Sequence, residues 1–393
     1  MTGLAMIMGL AALLPAAEAL ADGNVVVRQT PSHPPLPAAA SPMRNRLASP
    51  ADAAVTPVTA ADPRQSGWSR GGKAQASARA FGSFGIPYTS VRVQDGPPAS
   101  SATADNRLST TYPYRTIGRL VFQYDGGQAH CSASLIKRSV MVTAAHCAAD
   151  FGSNALFSGW TFRPGFYGPA GSTLAQQQPF GAWTTERVAV PATWLNGRDT
   201  GVGAARNNDL AVFIVSKSGD LFIGDVVGWM TYGWNNYSFT RSAKTKSLWT
   251  AAVTTLGYPG LMDGGLIMQR ADGPTFLTTV RGALQMWQGN NFTGGSSGGP
   301  WVVNFGYRAA NLLGGAVPGT ASALNVVIGV TSWGSADPNA IKDNYSSQFA
   351  QNKEFPSNNY GGYGGGNIGA LLQSLCSAPG PGGPSYAAQG YCD

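Results

Sequence analysis

The chain has 393 residues, room for one large domain or two, with 11% charged residues, 52 glycines and 26 prolines. That composition excludes the charge-rich disordered class and favours a turn-rich, largely β protein. The net charge of +7 comes from Lys and Arg scattered singly, with no basic block and no nucleic-acid motif, so nucleic acid is excluded as the expected partner.

Residues 1–21 read as a secretory signal: an apolar stretch from Leu4 to Leu14 precedes Pro15, and Ala19-Leu20-Ala21 offers a small-x-small cleavage site before Asp22. No Lys or Arg precedes Arg28, a departure from the usual positive start. A membrane-spanning helix needs about 20 apolar residues, and Pro15 and Glu18 interrupt the run first. The expectation is export, to the extracellular space or the periplasm, without stable membrane association. Residues 22–92 are rich in Ala, Pro, Ser and Gly ("PSHPPLPAAASP") and show no sustained hydrophobic period, as in a pro-segment or disordered linker. Composition shifts sharply near its end, so removal is expected, with Arg92–Val93 or Arg107–Leu108 as the junction.

Regular structure is expected from about Tyr112. "RTIGRLVFQY", "SASLIKRSVMVTAA", "DLAVFIV", "WTAAVTTLGYP", "PWVVNF" and "LNVVIGVTSWG" are short β-branched or aromatic runs separated by Gly, Asn and Asp. Such spacing predicts an all-β domain of antiparallel sandwiches or barrels rather than βαβ units. "NIGALLQSL" (Asn367 to Leu375) predicts one helix, with Asn367 as its cap. Four cysteines in an exported chain allow three disulfide connectivities. The local pairs Cys131–Cys147 and Cys376–Cys392 are expected, the second closing a tail over 377–393. With no CxxC and only His130 and His146 nearby, neither a metal nor an organic cofactor is expected.

Histidine is scarce: His33, His130 and His146 are all there are. His33 lies in the Pro-rich segment, so a general base must be His130 or His146. His146 ends the apolar run "VMVTAAHC" beside a cysteine, a rigid mount for an imidazole. "TGGSSGGPWV" (Thr293 to Val302) can expose a serine, because its glycines permit a tight path that aims backbone N–H groups at a developing oxyanion. "GSSGG" also fits the GxSxG elbow of α/β-hydrolases, but that fold needs a histidine after the serine and none follows His146. Nothing around Asp125 supports the order Asp, His, Ser. The remaining order is His, Asp, Ser, and "NNDLAVFIV" places Asp209 at the head of an apolar strand. The rivals Asp150, Asp199 and Asp263 sit in polar or Gly-rich stretches without a strand to hold them.

"TAAHC", "NNDLAVF" and "GGSSGGP" resemble, in order and separation, the three signatures of chymotrypsin-fold serine proteases, over about 110–376. "TTYPYRTIG" and "LGYPG" look most like the bacterial glutamyl-endopeptidase branch. The resemblance implies two six-stranded antiparallel β-barrels (chymotrypsin-like) with a C-terminal helix, in a protease domain of 93–376 divided at about 110–225 and 226–376. It implies a catalytic triad of His146, Asp209 and Ser297, an oxyanion hole from the N–H groups of Gly295 and Ser297, and a disulfide beside the catalytic histidine. It also implies a substrate site at Asn291, Phe292 and Thr293 and along Thr331, Ser332, Trp333 and Gly334, where an extended peptide adds as a β-strand.

Three positions depart from the family pattern. Ser296 stands where the trypsin-like branch has the Asp that pairs with the freed N-terminus. Asn291 stands at the trypsin-like Asp position of the pocket, and Thr331 where the glutamyl branch has a His. The expected enzyme is a secreted, monomeric serine endopeptidase acting on polypeptides, with an uncharged pocket that favours apolar or small polar residues. The alternatives are an inactive homologue serving as a binding or adhesion protein, and an esterase using the same triad.

Overall fold

The computed structural model describes residues 23–32, 34–37, 41–42, 46–47, 86–93, 107–241, 248–306, 323–334 and 341–393. The expected signal at 1–21 lies outside them, as does His33. Twelve strands form two closed barrels. The first contains β1 (Ile117–Tyr124), β2 (Gly127–Lys137), β3 (Val140–Thr143), β4 (Ser158–Pro164), β5 (Trp183–Pro191) and β6 (Ala211–Val215). Their order is β5-β6-β3-β2-β1-β4, and pairing of β4 with β5 closes the ring. The second contains β7 (Trp249–Gly257), β8 (Gln269–Val280), β9 (Ala283–Gly289), β10 (Pro300–Val303), β11 (Val326–Gly334) and β12 (Asp343–Gln348). Here the order is β7-β10-β11-β12-β9-β8, closed by β7 against β8. Every pairing within the two rings is antiparallel, so the fold is the chymotrypsin-like double barrel that the motifs imply.

Side chains alternate across each strand, and closing the sheet turns one set inward. In the first barrel the buried set includes Leu120, Val142, Trp160, Phe162 and Phe213; in the second it includes Val253, Met286, Trp301, Val303 and Ile328. Burying each such aliphatic or Phe side chain contributes about 1.5–3 kcal/mol. The C-terminal helix, Gly366–Ser377, lays Ile368, Leu371, Leu372 and Leu375 against β5 and β6. Both disulfides are the local pairs, Cys131–Cys147 and Cys376–Cys392, each spanning a sequence separation of 16. A loop of that length stabilises the fold by about 3 kcal/mol.

Two details differ from the expectations. Regular structure starts before Tyr112: Val25–Gln29 pairs along β5 with Val25 and Val27 buried, and Thr89–Arg92 pairs with Gln269–Asp272 of β8. The run "VVVRQ" is a strand-forming alternation, which the surrounding low-complexity composition hides. Asn367 is not the helix cap, since the N-cap is Gly365. Its buried side chain turns inward instead, accepting from Ala350 N–H at 3.0 Å and donating to Asn208 Oδ1 at 3.0 Å.

Candidate active site

Sheet register brings the first two site residues together. β6 runs antiparallel to β3 with Ala211 opposite Thr143, so Asp209, just ahead of β6, lies beside the turn that follows β3. That turn, Ala145–Cys147, carries His146 and is tied through Cys147 to β2. Asp209 Oδ1 accepts from the His146 backbone N–H at 2.9 Å, and Oδ2 stands 2.7 Å from His146 Nδ1. From β11, the Ser332 hydroxyl donates to the same Oδ2 at 2.6 Å. Burial pushes the Asp209 carboxyl up, but the His146 ring, its hydrogen bond, the Ser332 hydroxyl and the His146 N–H together hold it below the ordinary carboxylate range. An ionised carboxylate only accepts, so the imidazole carries a proton on Nδ1, directed at Asp209. Its Nε2 is buried and makes no hydrogen bond.

The third residue arrives on a pinned turn. Ser132 of β2 donates its N–H to the Ser297 carbonyl at 2.8 Å, and its hydroxyl to the Gly295 carbonyl at 2.9 Å. On the other side, Gly298 N–H donates to the Thr331 carbonyl of β11 at 2.8 Å. Gly295 has φ +95° and Gly298 φ +78°, the left-handed region that glycine tolerates. A Cβ on Gly295 would lie 2.5 Å from His130 Nε2, and one on Gly298 would lie 2.8 Å from the Ala144 nitrogen. Ser297, buried beside Gly298, is therefore packed next to the segment that leads into His146. No hydrogen bond joins Ser297 to His146 Nε2. Catalytic hydrogen bonds often tighten only when substrate binds.

The expected substrate residues flank this turn. Ser296 is buried, and its hydroxyl donates to the Thr293 carbonyl at 2.7 Å. Thr331 is buried and its Oγ1 accepts from Trp301 Nε1 at 3.0 Å. Trp333 is buried, stacked on Tyr345 with ring centroids 3.9 Å apart. Phe292 is buried, Asn291 is half-buried, and Thr293 Oγ1 accepts from Leu261 N–H. The amide of Asn344 on β12 donates to the carbonyls of Asn290 and Phe292, and a Cβ on Gly334 would lie 2.8 Å from Asn344 Oδ1.

The rival residues have other partners. His130 is fully buried; its Nδ1 accepts from Arg119 at 2.9 Å, so its proton is on Nε2, 3.1 Å from the Tyr258 carbonyl. That is a structural histidine. Asp150 is exposed, and Asp263 pairs with Arg92. Asp199 accepts from the backbone and side chain of Asn208, the neighbour of Asp209. Cys131, Cys147 and His146 offer ligand atoms within 4.8 Å of one another, but both sulfurs are in a disulfide and carry no thiolate.

Two contributors were not singled out from sequence: Ser132, outside the three motifs, which holds both sides of the Ser297 turn, and Asn208, inside "NNDLAVF", which links Asp199 to Asn367 of the helix. Ser332, expected as a substrate residue, donates its hydroxyl to Asp209.

No protein-family model matches the chain, and no curated protein matches it. Among solved structures, it is similar to the protease Anisep from Arthrobacter nicotinovorans, at 20% identity over 62% of this chain and 93% of that one, with a TM-score of 0.45. It is similar to the thermostable serine protease AL20 from an extremophilic microorganism, at 21% identity over 60% and 92%, with a TM-score of 0.44. A Glu endopeptidase is similar at 15% identity over 69% and 93%, with a TM-score of 0.44.

Proposed function

We propose that the protein is an exported serine endopeptidase with His146, Asp209 and Ser297 as its triad. The observation that carries this reading is the bonded chain from Ser332 through Asp209 to His146 Nδ1, which fixes the ring and leaves its buried Nε2 without a hydrogen-bond partner. In the proposed reaction Ser297 Oγ attacks a peptide carbonyl as His146 Nε2 takes the hydroxyl proton. The Gly295 and Ser297 N–H groups meet the oxyanion, at about 3–4 kcal/mol for each donor. His146 then protonates the leaving amine, and water, activated by the same Nε2, hydrolyses the acyl-enzyme to acid and free serine. Asp209 holds the tautomer and stabilises the imidazolium without taking the proton.

Two disulfides fit an oxidising compartment. Among the described residues no helix is long and apolar enough to cross a membrane. None of Asn291, Phe292, Thr293, Thr331 or Asn344 carries a charge, which supports a pocket for apolar or small polar side chains. The test is cleavage of a peptide library by the exported protein and by Ser297→Ala. The proposal expects hydrolysis lost in the variant; equal hydrolysis by both would overturn it, and dominant cutting after Glu, Arg or Lys would overturn the pocket assignment.

A further inference from the structure

Parts of the N-terminal segment mark one track over both barrels. Leu36 is held on the first: its N–H donates to Thr161 Oγ1 at 2.9 Å and its carbonyl accepts from the Arg163 guanidinium, both partners lying on β4. Ser41 and Pro42 pair with Ala129 and His130 of β2. Arg46 and Leu47 then pair with Trp333 and Gly334 of β11. Pro42 and Arg46 are four residues apart, a span of at most about 14 Å, so the two walls they pair with are no further apart than that at these points. Between those walls stands the Ser297 turn, bonded to Ser132 of β2 on one side and Thr331 of β11 on the other. Upstream, the track is anchored by Val25–Gln29, paired with β5 at all five residues.

Direction matters as much as position. Both of these pairings are parallel, whereas every pairing inside the two barrels is antiparallel. Parallel and antiparallel ladders space their N–H and C=O groups differently. A chain held parallel to β11 therefore offers its carbonyls out of step with a peptide that adds to β11 antiparallel.

We propose that the two paired stretches Ser41–Pro42 and Arg46–Leu47 are a built-in occupant of the peptide cleft, lying opposite in sense to a substrate, so that they exclude substrate without being cut. This rests on the peptidase reading above. It carries a consequence for activation. A single break between 48 and 85 leaves the occupant joined to the Val25–Gln29 strand, and a single break between Thr30 and Leu36 leaves it joined to the protease domain. Release needs both. A tether of this kind holds its ligand at an effective concentration of about 1 mM, so an intrinsic affinity of about 0.1 mM suppresses substrate binding about tenfold.

The test uses the full chain carrying two recognition sites for an unrelated protease, one inserted after the exposed Ser32 and one within 48–85. Fluorescein-labelled denatured casein is the substrate. After either single cut, KM should stay within about twofold of the uncut protein; after both cuts and gel filtration it should fall about tenfold with kcat unchanged. A synthetic peptide of residues 34–47 should restore the high KM, and the same peptide N-methylated at Arg46 and Leu47 should not. Uncut protein working at the doubly cut KM would overturn the proposal. If no form hydrolyses casein, fluorescence polarisation of the labelled peptide on doubly cut Ser297→Ala protein decides. Saturable binding abolished by N-methylation then upholds the occupant while the peptidase reading falls, and no binding overturns the occupant.

Discussion

Asp199→Asn should change the pH dependence of stability in a way that can be worked from the structure. Asp199 is buried. Burial pushes its carboxyl up, the Asn208 N–H pulls it down, and the nearby Glu354 carboxylate adds repulsion; the result is about 7 against an ordinary 3.8. A carboxyl whose folded value is raised is held neutral in the folded protein. Its contribution is fully present below the unfolded value near 3.8 and is lost as pH rises through about 7. At about 1.4 kcal/mol per pH unit, the protein should lose about 4 kcal/mol from this group between pH 4 and pH 8. The Asn variant does not titrate, so that loss should vanish. Its amide oxygen can still accept the Asn208 N–H, but its NH2 then faces Asn208 Nδ2, which costs about 1–3 kcal/mol at every pH. The curves should therefore cross, with the variant less stable at pH 4 and more stable at pH 8. Urea unfolding at pH 4, 5, 6, 7 and 8 measures this directly. Parallel stability curves for the two proteins would show that Asp199 is not held neutral in the folded state.

Three further outcomes follow from the site. Asp209→Asn should fold yet lower kcat by about 10⁴, because an amide can donate to Nδ1 and trap the wrong tautomer; single-turnover kinetics on a cleavable peptide would measure it. Ser332→Ala removes one hydrogen bond to a buried carboxylate and should cost about 1.5–3 kcal/mol in urea unfolding at pH 7. Because the folded value of Asp209 is depressed, that cost should persist at neutral pH and shrink only as pH falls below about 4. Gly298→Ala combines a positive φ with a Cβ placed against Thr143 Oγ1, and should destabilise by about 2–5 kcal/mol in the same assay.

The strands that could be read from sequence are those whose buried faces are β-branched or aromatic, such as β1, β3, β6 and β10. Others bury polar residues and leave no hydrophobic period. β12 is "DNYSSQ", yet Asn344, Ser346, Ser347 and Gln348 are buried, with Ser347 Oγ donating to the Asn207 carbonyl and Asn344 to two loop carbonyls. β8 carries Gly273 and Pro274 in its middle, a pair that ordinarily marks a turn. Val25–Gln29 failed for the opposite reason: its pattern is clear, but its surroundings are low-complexity.

The proposed triad His146, Asp209 and Ser297 could be picked from sequence because histidine is scarce and chain order excludes the competing arrangements. What supports them was not. Ser132 and Asn208 act through bonds to residues more than a hundred positions away in Gly295 and Asn367, and although Asn208 stands within "NNDLAVF", the motif does not show which distant partner it has. Asn367 has the residue type of a cap, but a buried acceptor on Asn208 and the Ala350 N–H claim its side chain. Ser332 sits on the expected substrate strand, and only the register of β11 shows that its hydroxyl belongs to Asp209.

Ser297 as nucleophile and His146 as its base are tested by covalent labelling with a fluorophosphonate of protein cut at both engineered sites, with the adduct located by peptide mass spectrometry. A single adduct on Ser297, lost in His146→Ala, is expected. Labelling at another residue, or labelling of Ser297 at an unchanged rate without His146, would contradict that assignment.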